Sequence, residues 1–201
     1  MLYDGKRTEA IQFMVRLILG VILGVLLVPC AVWAWFHFGN PPVAVADHPL
    51  PFERRITQVA LGARIDREAP ATTPIEANEV NFDAGAEIYR DQCSACHGFH
   101  GKPSTFGRHM YPSAPALWEK HRNGNVVGVS DDPPGETFWK VSNGIRLTGM
   151  PSYHDVLTET QIWQVSLLLA NADKPLPPEV VQIVSGQEPA AVAPVPAPSK
   201  P

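Results

Sequence analysis

Residues 93–97 read Cys-Ser-Ala-Cys-His, a combination of residue types and spacing that carries chemistry by itself. The thiols of Cys93 and Cys96 are three residues apart, so they can reach the two vinyl groups on one edge of a porphyrin and form thioethers. The next side chain, the imidazole of His97, can then turn under the ring and bind the iron. We call residues 93–97 the haem motif, because the pattern predicts covalent attachment of one haem.

Other uses of paired cysteines fit this sequence less well. A redox-active Cys-x-x-Cys is expected near a βαβ pattern, which is absent, and it requires no histidine. A zinc site needs a second pair of cysteines or histidines at ligand spacing, whereas the third cysteine of the chain, Cys30, lies in an apolar segment. Covalent haem is therefore the favoured interpretation.

The segment from about residue 81 to residue 172 resembles a class I c-type cytochrome domain. In that family a first helix leads into the haem motif and crosses the last helix. Gly85 and Tyr89, eight and four residues before the first motif cysteine, match the family positions at this crossing. The resemblance implies a small all-α domain, which we place at residues 79–174, and a single haem c that exchanges one electron.

The family usually completes the iron with a methionine sulfur on a loop well after the histidine. Met150 lies in the segment Asn143-Gly-Ile-Arg-Leu-Thr-Gly-Met-Pro151, which resembles the Gly-Met-Pro ligand loop of the family. The resemblance therefore implies His97 and Met150 as the two iron ligands. Met110, the other methionine of the domain, is expected to pack as a flexible apolar side chain. The alternatives are an open sixth position, Met110 itself, or one of His100, His109, His121 and His154.

A proline carbonyl in the family accepts the free ring proton of the axial imidazole and so fixes its tautomer. Ala114-Pro115-Ala116-Leu117 resembles that element, so we expect Pro115 to orient His97, with Pro112 as the second choice. Tyr111 and Trp139 are expected to wall the haem, to bind a propionate or only to pack in the core, and Arg122 and Arg146 are candidate propionate partners.

Helical patterns surround these residues. The last predicted helix begins after Thr158, which forms a capping-box pattern with Gln161 before an apolar run. On this helix Trp163 and Leu167 are four residues apart, and we expect them to meet the two crossing residues of the first helix. Helices are predicted over residues 83–93, 133–143 and 159–171.

An uncharged run of 20 residues occupies positions 17–36, long enough for a helix that spans about 30 Å of hydrocarbon. We therefore expect a transmembrane helix at residues 17–38. Three basic residues precede this span, and the next basic residues after it are Arg54 and Arg55. By the positive-inside rule, residues 1–16 face the cytoplasm and the haem domain lies on the periplasmic side of a bacterial inner membrane.

Two alternatives to an intact anchor share parts of this pattern. A cleaved signal peptide also has a basic start and an apolar run, but this run is longer than such peptides require. A lipid could be attached at Cys30, although Pro29 is unlike the small residue expected before such a site. Gly20 and Gly24 form one GxxxG pair, which is weak support for packing against another membrane helix.

Proline-rich segments flank the predicted domain, since 15 of the 21 prolines fall outside residues 79–174. Residues 39–78 are predicted to be a linker that contains a short amphipathic helix after Pro51. Its apolar side needs a cover, either the globule of this chain or a partner protein. The apolar residues of the linker helix are Phe52, Ile56, Val59, Ala60 and Ala63.

Residues 175–201 are predicted to form a disordered tail.

Charge excludes some functions. The net charge is −4 and no basic stripe exists, which argues against nucleic-acid binding. Residues 79–174 contain 8 Lys or Arg and 11 Asp or Glu, so docking through a broad positive face is not expected. We expect small apolar contacts around the haem edge instead.

The resulting expectation is a mainly α protein with one transmembrane helix, a class I cytochrome c domain and an extended linker and tail. An iron with imidazole and thioether ligands has no vacant position for a small-molecule substrate, and thioether ligation favours a positive potential. We expect an electron carrier, tethered to the lipid bilayer, between a quinol-oxidising complex and a terminal acceptor. The main alternative is a fixed haem subunit of a larger membrane complex. A haem enzyme or gas sensor would need an open or displaceable sixth ligand.

Overall fold

The computed structural model describes residues 2–121 and 124–187, and its regular elements within these ranges are all helical. The chain divides into two units, one ending at Pro51 and one beginning at Phe52. The helices are α1 (Leu2–Phe38), α2 (Glu53–Glu68), α3 (Glu79–Ile88), a π turn (Tyr89–Cys93), α4 (Ser94–His97), α5 (Thr105–Arg108), α6 (Pro134–Asn143), α7 (Glu159–Ala170) and α8 (Pro178–Val184).

Helix α1 has the length and composition of a membrane span. Its apolar part, Ile11–Phe38, has 28 residues and a mean hydropathy of 2.6, and its apolar side chains are exposed on all sides. A helix that is apolar all round needs a non-aqueous environment. The helix is therefore compatible with a single-pass anchor.

The crossing of α3 and α7 forms the centre of the second unit. Gly85 on α3 touches the backbone of α7: a Cβ atom at this position would lie 2.9 Å from the carbonyl carbon of Gln164 and 3.2 Å from Leu168 Cβ. Tyr89, one turn later, has no exposed surface and belongs to the same core. Glycine at position 85 therefore sets how closely the two helices approach.

The face of α7 that meets Gly85 differs from the sequence prediction, which named Trp163 and Leu167. The residues at the contact are Gln164 and Leu168, whereas the Trp163 ring stacks on Phe138 of α6 with centroids 4.2 Å apart. The prediction was wrong because α7 is buried on almost all sides, so its apolar pattern does not single out one face. The predicted capping box of Thr158 and Gln161 is confirmed.

Helix α8 contradicts part of the predicted disordered tail at residues 175–201. Val180, Ile183 and Val184 are buried in the same core as Tyr89, and the carbonyl of Val184 accepts a hydrogen bond from His100 N at 2.8 Å. Pro178 occupies the first helical turn. The backbone N–H that proline lacks would have no partner within the helix at this position. The compact unit therefore extends past residue 174. Residues 188–201 lie outside the described residues.

Helix α2 is the predicted linker helix, and its C-terminal part packs on the chain's own domain. Ile65 is 4% exposed, and Glu68 Oε2 accepts a hydrogen bond from Trp139 Nε1 of α6 at 3.0 Å. Beyond the helix end, Pro70 lies so close to Gly135 that a Cβ on this glycine would fall on the Pro70 carbonyl. The domain covers this side of α2 but leaves the predicted apolar side exposed.

Candidate haem site

The backbone around the haem motif changes its helical winding just before the first cysteine. Helix α3 ends at Ile88, the π turn follows, and α4 carries the motif to His97. Ser94 Oγ donates to the carbonyl of Arg90 at 2.6 Å, across this turn. Turns of π type are frequent at functional sites, because the extra residue per turn redirects the side chains that follow.

Gly98 ends α4 in a conformation that only glycine adopts easily. Its φ of 80° lies in the left-handed region, and a Cβ there would lie 2.6 Å from Ser104 N and 2.8 Å from Lys102 O. The Gly98 carbonyl accepts a hydrogen bond from Tyr89 Oη at 2.6 Å. Burial raises the pKa of Tyr89 well above its ordinary value, so the phenol remains a hydrogen-bond donor and ties the core to the motif.

The imidazole of His97 is oriented by a backbone carbonyl. Its Nδ1 lies 2.8 Å from the carbonyl oxygen of Pro115. Burial lowers the pKa of His97, and the contact with Pro115 opposes that shift only in part. A neutral ring that donates through Nδ1 carries its lone pair on Nε2, which is the tautomer that a metal requires.

A chain of short contacts places Pro115 over His97. Ser104 Oγ donates to the Ala95 carbonyl at 2.5 Å and accepts from Gly107 N at 3.0 Å. The Gly107 carbonyl accepts from Ala114 N at 3.0 Å, next to Pro115. A Cβ at Gly107 would fall on the carbonyl of Cys96, so this loop can approach the motif only through a glycine. Ser104 and Gly107 were missed by the sequence analysis, although Ser104 at the N-cap of α5 is a local signal.

The thiol of Cys93 lies at the end of the π turn, and that of Cys96 lies in α4. Both cysteines are partly buried and unpaired by any disulfide. Burial, followed by the charge of Cys96, raises the pKa of Cys93 to about 12, so the Cys93 thiol is protonated at neutral pH. Two thiols three residues apart, together with an imidazole whose tautomer is fixed, form a donor set that fits a covalently held haem.

The loop that carries Met150 is a compact turn. Thr148 Oγ1 donates to the carbonyl of Ile145 at 2.6 Å and accepts from Met150 N at 3.1 Å. Gly144 enters the loop with φ of 67°, and a Cβ there would meet Pro151 and Ser152. The Met150 side chain is partly buried and packs against the core. The loop therefore holds its methionine toward the interior of the domain.

Tyr153 connects this loop to the haem motif. Its hydroxyl donates to the carbonyl of Gln92 at 2.8 Å, and its backbone N–H donates to Val141 O of α6 at 3.0 Å. Burial, with smaller effects of Cys93 and Cys96, raises the pKa of Tyr153, so the phenol is a hydrogen-bond donor. No sequence pattern marks Tyr153, because its partner lies 61 positions away along the chain.

The other candidate residues have different surroundings. The methyl group of Met110 lies where a Cβ of Gly149 would be, so Met110 packs against the residue before Met150. Trp139 binds Glu68, whereas Arg146 is exposed and Arg122 lies outside the described residues. The peptide bond before Pro112 is cis. The four candidate histidines, His100, His109, His121 and His154, are all exposed.

Tyr111 is close to the start of α2. Partial burial and the neighbouring carboxylate of Glu53 raise the pKa of the Tyr111 phenol, and Glu53 also forms a hydrogen bond with it. Tyr111 and Trp139 therefore both contact α2 or its charged side chains.

The sequence of this domain matches a known protein family. Residues 80–167 match the family model described as "Cytochrome C oxidase, cbb3-type, subunit III". The matched range contains the haem motif, Pro115 and Met150. A comparison with curated proteins gave no match.

Proposed function

We propose that this chain is a membrane-anchored monohaem cytochrome c that carries single electrons on the periplasmic side, and the premise is that residues 80–167 form a class I c-type cytochrome domain. Such a domain supports a haem c electron-carrier role, that is, electron transfer rather than catalysis of a substrate reaction. The donor and acceptor that we propose are a quinol-oxidising complex and a terminal acceptor.

The observation that carries the proposal is the contact between His97 Nδ1 and the Pro115 carbonyl at 2.8 Å. It fixes the imidazole next to two thiols at attachment spacing. In the proposed site Cys93 and Cys96 hold one haem c, and His97 and Met150 bind its iron. When bound, the haem iron supplies reversible one-electron chemistry.

The chain's own residues keep this site closed and rigid. Tyr153 joins the Met150 loop to the motif, and the Ser104 and Gly107 contacts hold the Pro115 carbonyl in place. Rigid ligand positions suit electron transfer, because a coordination sphere that does not rearrange leaves only the electron to move.

Docking is proposed to use apolar contacts near the ligand loop. Leu147, in the loop of Met150, is 82% exposed, and Val156, shortly after it, is 62% exposed. The excess of acidic over basic residues in the domain disfavours a basic docking face. Electron-transfer rates with the physiological partner should therefore change little with ionic strength, and a steep decrease would contradict apolar docking.

A second candidate function is a fixed haem subunit of a larger membrane oxidoreductase. The description of the matched family names a subunit of an oxidase, and α2 has an exposed apolar side. Purification in mild detergent distinguishes the two functions. Stoichiometric partners that stay bound favour a fixed subunit, and a monodisperse single chain favours a mobile carrier.

Haem attachment and ligation are tested on the matured protein. The mass of the chain should increase by one porphyrin, and replacement of both motif cysteines should abolish this increase. Absence of added mass and of Soret absorption in the wild type would refute the proposal.

A matched pair of variants tests the sixth ligand. Met150→Leu should lose the weak charge-transfer band of the ferric protein at long wavelength, and its ferrous form should bind carbon monoxide. Met110→Leu, which changes a methionine packed on the same loop, should behave like the wild type. The reverse pattern would assign the ligand to Met110.

A further inference from the structure

Helix α2 has two apolar sides that point in different directions. With about 100° between successive residues of a helix, Leu61 and Ile65 fall on one side, and this side is partly or fully buried against the domain. Ile56, Val59 and Ala63 fall on nearly the opposite side. A helix that needed only to pack on its own domain would have one apolar side.

The second side is exposed along three turns of the helix. Ile56 is 67% exposed and Val59 is 66% exposed, and Phe52, directly before the helix, is 71% exposed. Ala60 and Ala63 on the same side are exposed as well. We call Phe52, Ile56, Val59, Ala60 and Ala63 the outer face of α2.

The charges near the outer face are mainly positive. Glu68 pairs with Arg64 at 2.9 Å and binds Trp139, so its charge is turned toward the domain. Glu53 has the hydroxyl of Tyr111 as a partner. By the same spacing, Arg54 falls on the side of Leu61 and Ile65. The exposed charged residues that flank the outer face are Arg55, Asp66 and Arg67, two basic and one acidic.

The covalent connection to α1 keeps this helix within reach of a bilayer. Between Phe38, the last residue of α1, and Phe52 lie residues 39–51. A connection of this length spans at most about 45–50 Å when fully extended. The start of α2 can therefore lie no farther than about 50 Å from the end of α1 and from a bilayer that holds it, whereas a soluble partner would have to be recruited.

We propose that the outer face of α2 binds the surface of the bilayer, with its apolar residues at the boundary between headgroups and acyl chains and with Arg55 and Arg67 on anionic headgroups. Amphipathic helices with this combination of an apolar face and arginine residues lie in the membrane interface. The inference rests on the membrane anchor of the proposed function. Because the other side of α2 packs on α6, such binding fixes the haem domain at the membrane surface and restricts its motion.

The test uses the full-length holoprotein in vesicles of phosphatidylcholine and phosphatidylglycerol, with no other protein present. In a Cys30→Ala background the two motif cysteines are blocked as thioethers, so a nitroxide can be attached at one added cysteine. Val59→Cys probes the outer face. Gln58→Cys is the matched control, because this neighbouring residue is exposed but points to the other side of the helix.

The expected result is a label at position 59 that collides severalfold more with dissolved oxygen and severalfold less with a water-soluble nickel complex than the label at position 58. Equal nickel accessibility at both positions would overturn the inference. Low accessibility to both reagents at position 59 would also overturn it, since it indicates a protein contact such as a second copy of the chain. Failure of the holoprotein to float with the vesicles refutes the anchor itself, whereas flotation with a nickel-accessible position 59 refutes only the inference.

Discussion

Tyr153→Phe should weaken the closure of the Met150 loop without removing any ligand. The substitution keeps the ring, which packs against the core, and deletes only the hydroxyl that donates to Gln92 O at 2.8 Å. The backbone hydrogen bond from Tyr153 N to Val141 O is unaffected. Tyr153 is therefore a positioning residue, whose effect must appear at the iron through the loop.

The size of the effect follows from the chemistry of the contact. A neutral hydroxyl–carbonyl hydrogen bond contributes about 0.5–1.5 kcal/mol. Gln92 is exposed, so water replaces the lost donor and the larger penalty of an unsatisfied buried carbonyl does not apply. A loss of about 1 kcal/mol raises the fraction of protein with an open loop about fivefold.

Imidazole binding to the ferric protein measures this fraction. In the proposed site an external ligand would bind only where the Met150 thioether has left the iron, so its apparent affinity would scale with the open fraction. Tyr153→Phe should therefore bind imidazole about fivefold more tightly, while its long-wavelength charge-transfer band persists in the absence of imidazole. Tyr111→Phe is the matched control, because it removes a hydroxyl that faces Glu53 and should leave the affinity unchanged.

Two results would refute this reasoning. An unchanged imidazole affinity in Tyr153→Phe would show that the hydroxyl does not hold the loop closed. An equal increase in both tyrosine variants would show a general loosening of the domain and not an effect of the contact with Gln92.

Other predictions concern the packing that supports the site. Gly85→Ala should lower the free energy of unfolding by as much as about 2 kcal/mol, because overpacking against the α7 backbone costs about 1–3 kcal/mol and helix propensity recovers about 1. Gly62→Ala is the control: nothing lies within 4 Å of its Cβ position, and urea denaturation should show no loss of stability. Trp139→Phe removes the donor to Glu68 and should speed hydrogen exchange in α2 but not in α3. The pKa of Glu68 lies below its ordinary value of 4.5 because Arg64 and then Trp139 donate to its carboxylate. The contribution of this contact is thus fully present above pH 4.5 and is lost as the pH falls through the lowered pKa. The protection factors of α2, that is, its exchange rates divided into the intrinsic rates at each pH, would measure this loss. A decrease in these protection factors as the pH rises would contradict the sign.

Much of the fold could be predicted because its signals are local. The capping box at Thr158 and the α6 boundary at Asn143 depend on neighbouring residues, and both agree with the structure. The class I cytochrome assignment is confirmed for residues 80–167, because the haem motif and the ligand loop are short segments with fixed spacing. The roles of the individual site residues stay predictions.

Helix α8 shows where a local signal was outweighed. Prolines at 175, 177 and 178 suggested a disordered tail, yet Pro178 starts a helix whose apolar residues complete the core. Proline disfavours the interior of a helix but is tolerated in its first turn. A high proline content therefore does not exclude a helix that begins at the last proline.

The sequence alone determined the chemistry that is proposed for this protein, since attachment spacing, an adjacent imidazole and a Gly-Met-Pro loop need only consecutive residues. The tertiary structure determined which long-range side-chain contacts hold the proposed site and α2 in place. The contact of Tyr153 with Gln92 joins residues 61 apart and that of Trp139 with Glu68 joins residues 71 apart. A hydroxyl or an indole that meets a partner so far along the chain leaves no pattern in the sequence, because only the packing of helices brings the two together.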